Sequence, residues 1–202
     1  MIRNSEDIEA NLRRYLETEA LLNGFFAIFD YCACRCVPEL LAQNGNKPVA
    51  ACCTRPYHCE CDLDHPAYDR LRQERQKRFG KPDDYHWTDP VSPCEYHNPK
   101  AGCVLTTHKS PICLAFFCRK AIGHLRERFG VLTYDYLGFY YALEWILTGD
   151  LSESQYADFR RGILDMTEKV KTDQIGSGVG IHGSPFLNGS AVPCPSTENR
   201  EP

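Results

Sequence analysis

Twelve of the 202 residues are cysteine, and eleven of these lie between positions 32 and 118. They form four groups: Cys32, Cys34 and Cys36; Cys52 and Cys53; Cys59 and Cys61; then the spaced series Cys94, Cys103, Cys113 and Cys118. Thiolates are soft ligands, and a set of four around Zn(II) or an iron-sulfur cluster needs loops that converge rather than regular secondary structure. Eleven candidate sulfurs exceed one four-ligand site and fall one short of three, so one or two sites is the natural range. No two cysteines have two residues between them, which removes the zinc-ribbon knuckle and the bacterial ferredoxin run. Cys32 and Cys36 are followed by Glu39, so the C-x3-C-x2-C signature of radical S-adenosylmethionine enzymes fails as well.

Basic residues flank the sulfurs at Arg35, Arg55, Lys109, Arg119 and Lys120. Their charge would lower thiol pKa values and offset the negative charge of a four-thiolate site, although ordinary surface charge accounts for them equally well. His58, His97 and His108 lie close to cysteines, and such histidines more often support a metal site than ligate it. His65, His86, His124 and His182 have weaker claims. A Cys-His nucleophile at Cys59 with His58, or at Cys113 with His108, lacks a local signature, and clustered cysteines suit ligation better than selective nucleophilicity.

The opening segment, Met1 to Arg14, is highly charged and lacks the apolar core and cleavage site of a secretory signal, which places the chain in the cytoplasm. In that reducing compartment cysteine-rich patterns point to metal or redox chemistry more than to disulfides. Cys52 and Cys53 are adjacent and could bridge each other only with strain, though bridges to distant partners stay open. The balance of 23 basic against 27 acidic residues gives no bulk attraction to nucleic acid or to membranes. The longest nearly apolar run, Leu21 to Phe29, is too short to span a bilayer.

The elements that must position these sulfurs read as mainly helical. A helix capped at Asn4 or Ser5, with Glu6, Asp7 and Glu9 in its first turn, runs to about residue 29 and delivers the chain to the first cysteines. Asp64 or His65 starts a second helix, with Pro66 in its first turn and Gly80 beyond its end. Its six basic residues from Arg70 to Lys81 read as a solvated face. Residues 81 to 109 form an irregular wrap around the cysteine site. One helix then runs from Pro111 through Phe129 to Gly130, and another from Thr133 or Asp135 to Leu147. The Leu137, Tyr140, Tyr141 and Trp145 stripe of the latter reads as core. Ser152 and Gln155 form a capping box for a final amphipathic helix. From Asp173 onward five Gly, four Pro and four Ser among thirty residues predict a flexible tail holding a free Cys194. The expected organisation is thus a single helical domain over 1–172 with a cysteine-rich irregular metal-binding core at 32–118, and a tail over 173–202.

Between residues 94 and 118 the motifs resemble a known family. Cys94, the pair Gly102-Cys103, and Lys109-Ser110-Pro111-Ile112-Cys113 followed by aromatic residues are similar to the cysteine-cluster proteins of the YkgJ type, which are regarded as zinc- or iron-chelating. Cys52-Cys53 is similar to that family's upstream Cys-Cys pair. The resemblance implies Cys52, Cys53, Cys94, Cys103 and Cys113 as ligands, then Cys34 and Cys36, with Cys59, Cys61 and Cys118 as further ligands or a second site. Three functions remain open on this basis: an iron-sulfur protein for electron transfer, sensing or maturation of a protein partner; a zinc-stabilised interaction module; and a thiol enzyme.

Overall fold

The computed structural model describes residues 5–45, 64–85, 94–98 and 102–176. Cys52, Cys53, Cys59, Cys61 and Cys194 lie outside them, as do nearly all residues of the expected tail. The described part is mainly helical. The organising element is α1 (Ser5–Ile28), which at about 1.5 Å per residue is roughly 36 Å long. It packs against α3 (Pro66–Phe79), α6 (Tyr136–Thr148) and α7 (Glu153–Gly176). Leu12, Tyr15, Leu22 and Phe25 line its buried side, and charged contacts tie its outside to its neighbours: Arg14 to Glu153, Glu9 to Arg70, and Glu17 to Arg160 at 3.8 Å. The core continues through Leu71, Leu125, Tyr134, Leu143, Leu147, Ile163 and Val170. Each fully buried aliphatic side chain of this kind contributes about 1.5–3 kcal/mol by leaving water.

Several boundaries follow from local chemistry visible in the sequence. The His65 ring caps α3 by accepting the Ala67 N–H at 3.2 Å, and Gly80 ends it with φ +82°. Asp135 accepts the Gly138 N–H at 2.8 Å to start α6, and Gly149 closes it in the left-handed region. The Ser152–Gln155 box forms as expected, with Gln155 N donating to Ser152 Oγ and Ser152 N to Gln155 Oε1.

The expected single helix from Pro111 to Phe129 is instead two, α4 (Pro111–Ala115) and α5 (Arg119–Phe129), separated by extended backbone at Phe116 and Cys118. The break turns Phe117 inward, where its ring meets Phe25, Phe26, Phe29 and Tyr134 at 4.9–6.3 Å between centroids. Tyr134 Oη donates to the Ala115 carbonyl that α4 leaves free. Aromatic packing therefore outweighs helix continuity here.

The stripe on α6 is also not core as expected. Tyr140 is half-buried and donates to the buried Glu144, but Leu137, Tyr141 and Trp145 are exposed at 53%, 45% and 43%. The core is met by the opposite face, through Phe139, Leu143, Ile146 and Leu147. Helix α7 continues through Gly176, and Asp173 is fixed to Arg128 by hydrogen bonds of 2.9 and 3.0 Å, so ordered structure passes the expected boundary at residue 172.

Two regions hold elements not expected from the sequence. The chain after α1 makes a π-helical turn at Cys32–Cys36, which leads into α2 (Val37–Gln43). Such turns are rare and concentrate at functional sites. Two short strands, β1 (His97–Asn98) and β2 (Gly102–Cys103), pair antiparallel with His97 opposite Cys103.

Candidate metal centre

The segment that leads from Cys103 to Cys113 is held by buried side chains of two helices. Glu19 of α1, 1% exposed, accepts the His108 N–H at 2.7 Å and the Thr107 hydroxyl at 3.0 Å on one oxygen, and the Lys109 N–H at 3.1 Å on the other. Tyr15 Oη donates to the Lys109 carbonyl at 2.6 Å, and Lys109 Nζ reaches Asn23 Oδ1 at 3.2 Å. From α3, the buried Arg75 donates through Nε to the His108 carbonyl at 2.7 Å. Four side chains of α1 and α3, those of Tyr15, Glu19, Asn23 and Arg75, thus fix a turn in which His108 holds φ +59°, an unusual value outside glycine. Burial raises the Glu19 pKa, against the lowering effect of the Lys109 and His108 N–H groups, the Lys109 charge and Thr107.

The turn brings Cys103 and Cys113 within electrostatic reach of Cys94, and none of the three is in a disulfide. Cys113 sits in the first turn of α4, where Ser110 Oγ donates to its sulfur at 3.1 Å. Cys94 is buried in a small cluster with Tyr96 and Leu105, and it lies within electrostatic reach of both Cys113 and Cys103. Burial pushes the Cys94 thiol up to about 12, with a bond from the Tyr96 N–H opposing it and the two cysteines and Glu95 adding to it. Burial raises Cys113 too, partly offset by the Ser110 hydroxyl and Arg75. Cys103 shifts the same way through burial of its thiol, but the residue as a whole is exposed, so water tempers the effect. Thiols held protonated in this way are poor nucleophiles, which weighs against Cys113 with His108 as a catalytic pair. His108 points elsewhere: its charged neighbours are Arg78, Glu74 and Arg75, and its buried Nδ1 has no hydrogen-bond partner among the described residues.

A second neighbourhood lies past the end of α1. Cys36, buried in the π-helical turn, is raised by burial and by the nearby Cys118 at the start of α5, with Lys120 opposing and Glu39 adding. Cys32 is half-buried and outside any disulfide, whereas Cys34 is disulfide-bonded and offers no free thiolate in that state.

Among the described residues no group of three or more His, Cys, Asp or Glu side chains is arranged to hold a metal ion. No protein-family model, no curated protein and no solved structure matches the chain. The likeness to cysteine-cluster proteins therefore rests on the motifs at Cys52-Cys53 and between Cys94 and Cys113 alone. Of the eleven candidate ligands, the structure brings Cys103 and Cys113 within electrostatic reach of Cys94, and Cys118 within reach of Cys36; Cys32 lies with Cys36 in the π-helical turn, Cys34 there is disulfide-bonded, and Cys52, Cys53, Cys59 and Cys61 lie outside the described residues.

The solvated basic face expected on α3 is overturned at Arg75. Arg70 and Arg72 do meet acids at the surface, Arg70 with Glu9 and Glu74, and Arg72 with Asp69 at 3.5 Å. Arg75 is only 4% exposed and forms no ion pair with a carboxylate among the described residues. Its charge acts instead on Cys103, Cys113 and Tyr15. The sequence does carry a signal for both hidden charges. Glu19 falls at the helical spacing of Leu12, Tyr15, Leu22 and Phe26, and Arg75 falls four residues after the buried Leu71. An ion inside an apolar stripe marks a position with a buried task.

Proposed function

We propose that the chain is a metal-binding protein holding a cysteine-ligated iron-sulfur cluster, with Cys94, Cys103 and Cys113 supplying sulfurs beside Cys52 and Cys53. The observation that carries this is Arg75. A guanidinium does not lose its proton, and a buried one without a carboxylate partner is costly unless negative charge is close by. Around Cys103 two cations, Lys109 and Arg75, face one carboxylate, Glu19, while Glu95 lies beside Cys94. Thiolates drawn out by a metal would supply the missing negative charge, since ligation deprotonates cysteine whatever its free pKa. Three soft donors in one neighbourhood fit a cluster or zinc, and the described residues alone do not complete either site. The absence of zinc-knuckle spacing favours a cluster, which when bound supplies one-electron chemistry for electron transfer, sensing or maturation of a protein partner. A reducing cytoplasmic setting would also free Cys34 for ligation.

The second reading is a zinc-stabilised module that recruits a protein partner. The exposed stripe Leu137, Tyr141 and Trp145 favours it, because aromatic residues without charged neighbours on a helix face are the composition of interface cores. The only charged residue of α6, Glu144, is buried against Tyr68 and Tyr140. Among the described residues no helix is long and apolar enough to cross a membrane.

Metal and acid-labile sulfide analysis with a visible spectrum, on protein purified without oxygen, tests both. Iron with matching sulfide and an absorption band near roughly 400 nm supports the cluster; zinc without sulfide supports the module. Absence of both metals overturns each and returns weight to disulfides. Cys113→Ser and Cys53→Ser should lower metal content and stability together, whereas Cys194→Ser should change neither.

A further inference from the structure

Tyr31 and the π-helical turn on one side and α5 on the other line a shallow, open cavity of about 440 Å3. Arg35, Arg119, Lys120 and His124 line it, and Glu127 is the one acid among its lining residues. Lys120 is partly neutralised by Glu39 at 3.9 Å, but Arg35 and Arg119 form no ion pair among the described residues. The His124 ring is fixed against Tyr31 at 4.7 Å and against Phe129 at 5.6 Å, so this wall is set before any ligand arrives.

Gly123 supplies an independent observation. It sits within α5, where glycine weakens a helix, yet no positive φ requires it and a Cβ built there would meet nothing within 4 Å. Among the described residues no neighbouring atom accounts for the missing side chain, as is also true of Gly24 in α1 and Gly162 in α7. Gly123 differs from those two in lining the same cavity as Arg35 and Arg119.

We propose that this cavity binds a phosphomonoester dianion carried on a small soluble molecule, gripped by Arg35 and Arg119, with the rest of the molecule lying over Gly123. Guanidinium forks match phosphate oxygens in pairs, and Lys120 adds a point charge. The N-terminus of α5, where Cys118 makes no side-chain cap, adds favourable main-chain N–H groups. The cavity borders Cys36, on which Lys120 acts electrostatically.

Isothermal titration of the full chain, purified without oxygen, with ribose 5-phosphate and with inorganic phosphate at constant ionic strength tests this. Saturable binding is expected, weakened at least tenfold in Arg119→Gln and abolished in Gly123→Leu, with Arg161→Gln on α7 unchanged. Gly123→Ala should melt no lower than the parent protein, which shows that the helix does not need the glycine. Arg119 is exposed, so its variant reports on binding even where Gly123→Leu fails to fold. The proposal is overturned by a lack of saturation, by equal displacement with chloride, by undiminished affinity in Arg119→Gln, or by a response to phosphatidic acid vesicles alone.

Discussion

Glu19 Oε2 accepts the main-chain N–H of His108 at 2.7 Å across 89 residues of sequence, and this bond joins the central helix to the turn between two of the clustered cysteines. The carboxylate has two oxygens for three donors, and all three are used. In Glu19→Gln one oxygen becomes an NH2 group that cannot accept, so a main-chain N–H in a buried turn loses its partner. The expected cost is about 1–3 kcal/mol in urea unfolding at neutral pH. Hydrogen exchange at the His108 and Lys109 amides should accelerate in the same variant. Amides as protected as in the parent would show that other contacts hold the turn.

The helices and their ends were legible because capping is local chemistry: Asp135, Gly149, Ser152 and Gln155 act within a few residues of themselves. The break at Phe116 to Cys118 was not, since it is set by Phe117 meeting rings from a helix ninety residues earlier. The cysteines divide in the same way. Their types and spacing pointed to soft-metal chemistry, but which of them come within electrostatic reach of one another, Cys94 with Cys103 and Cys113, and Cys36 with Cys118, depends on contacts between segments distant in sequence. Periodicity gave the α6 stripe without saying which side faces inward, because both faces of that helix are apolar.

The two faces of α6 should differ sharply on substitution. Trp145→Ser and Leu137→Ser remove exposed side chains and should shift unfolding by no more than about 0.5 kcal/mol. Leu143→Ala on the buried face should cost about 2–5 kcal/mol. Comparable losses at Trp145 and Leu143 in chemical unfolding would mean that a partner or a second copy covers the stripe in solution.

His108 gives the fold an acid sensitivity of definite sign. Burial, Arg78 and Arg75 hold its pKa below the ordinary 6.5, with Glu74 opposing. The folded state therefore binds a proton less readily than the unfolded chain. Its contribution is fully present above pH 6.5 and is lost as pH falls from there through the lowered value. His97, lowered by its own burial, acts in the same direction. In His108→Asn, a residue that tolerates positive φ, the decline of melting temperature below pH 6.5 should be shallower than in the parent. An unchanged slope would assign the effect to His97 or to carboxylates.

Arg75 links stability to metal content, and its removal should read differently in the two states. With the site loaded, Arg75→Met takes away a counter-charge from Cys103 and Cys113 and leaves the His108 carbonyl without its donor. With metal removed by a chelator, the same change also deletes a buried cation that no carboxylate among the described residues pairs with, which offsets the lost hydrogen bond. The fall in melting temperature should therefore be larger in loaded protein than in stripped protein, and the variant should release metal to a competing chelator at least tenfold more readily. An equal fall in both states would reduce Arg75 to its hydrogen bond with His108, and the charge balance would no longer speak for thiolates at Cys103 and Cys113.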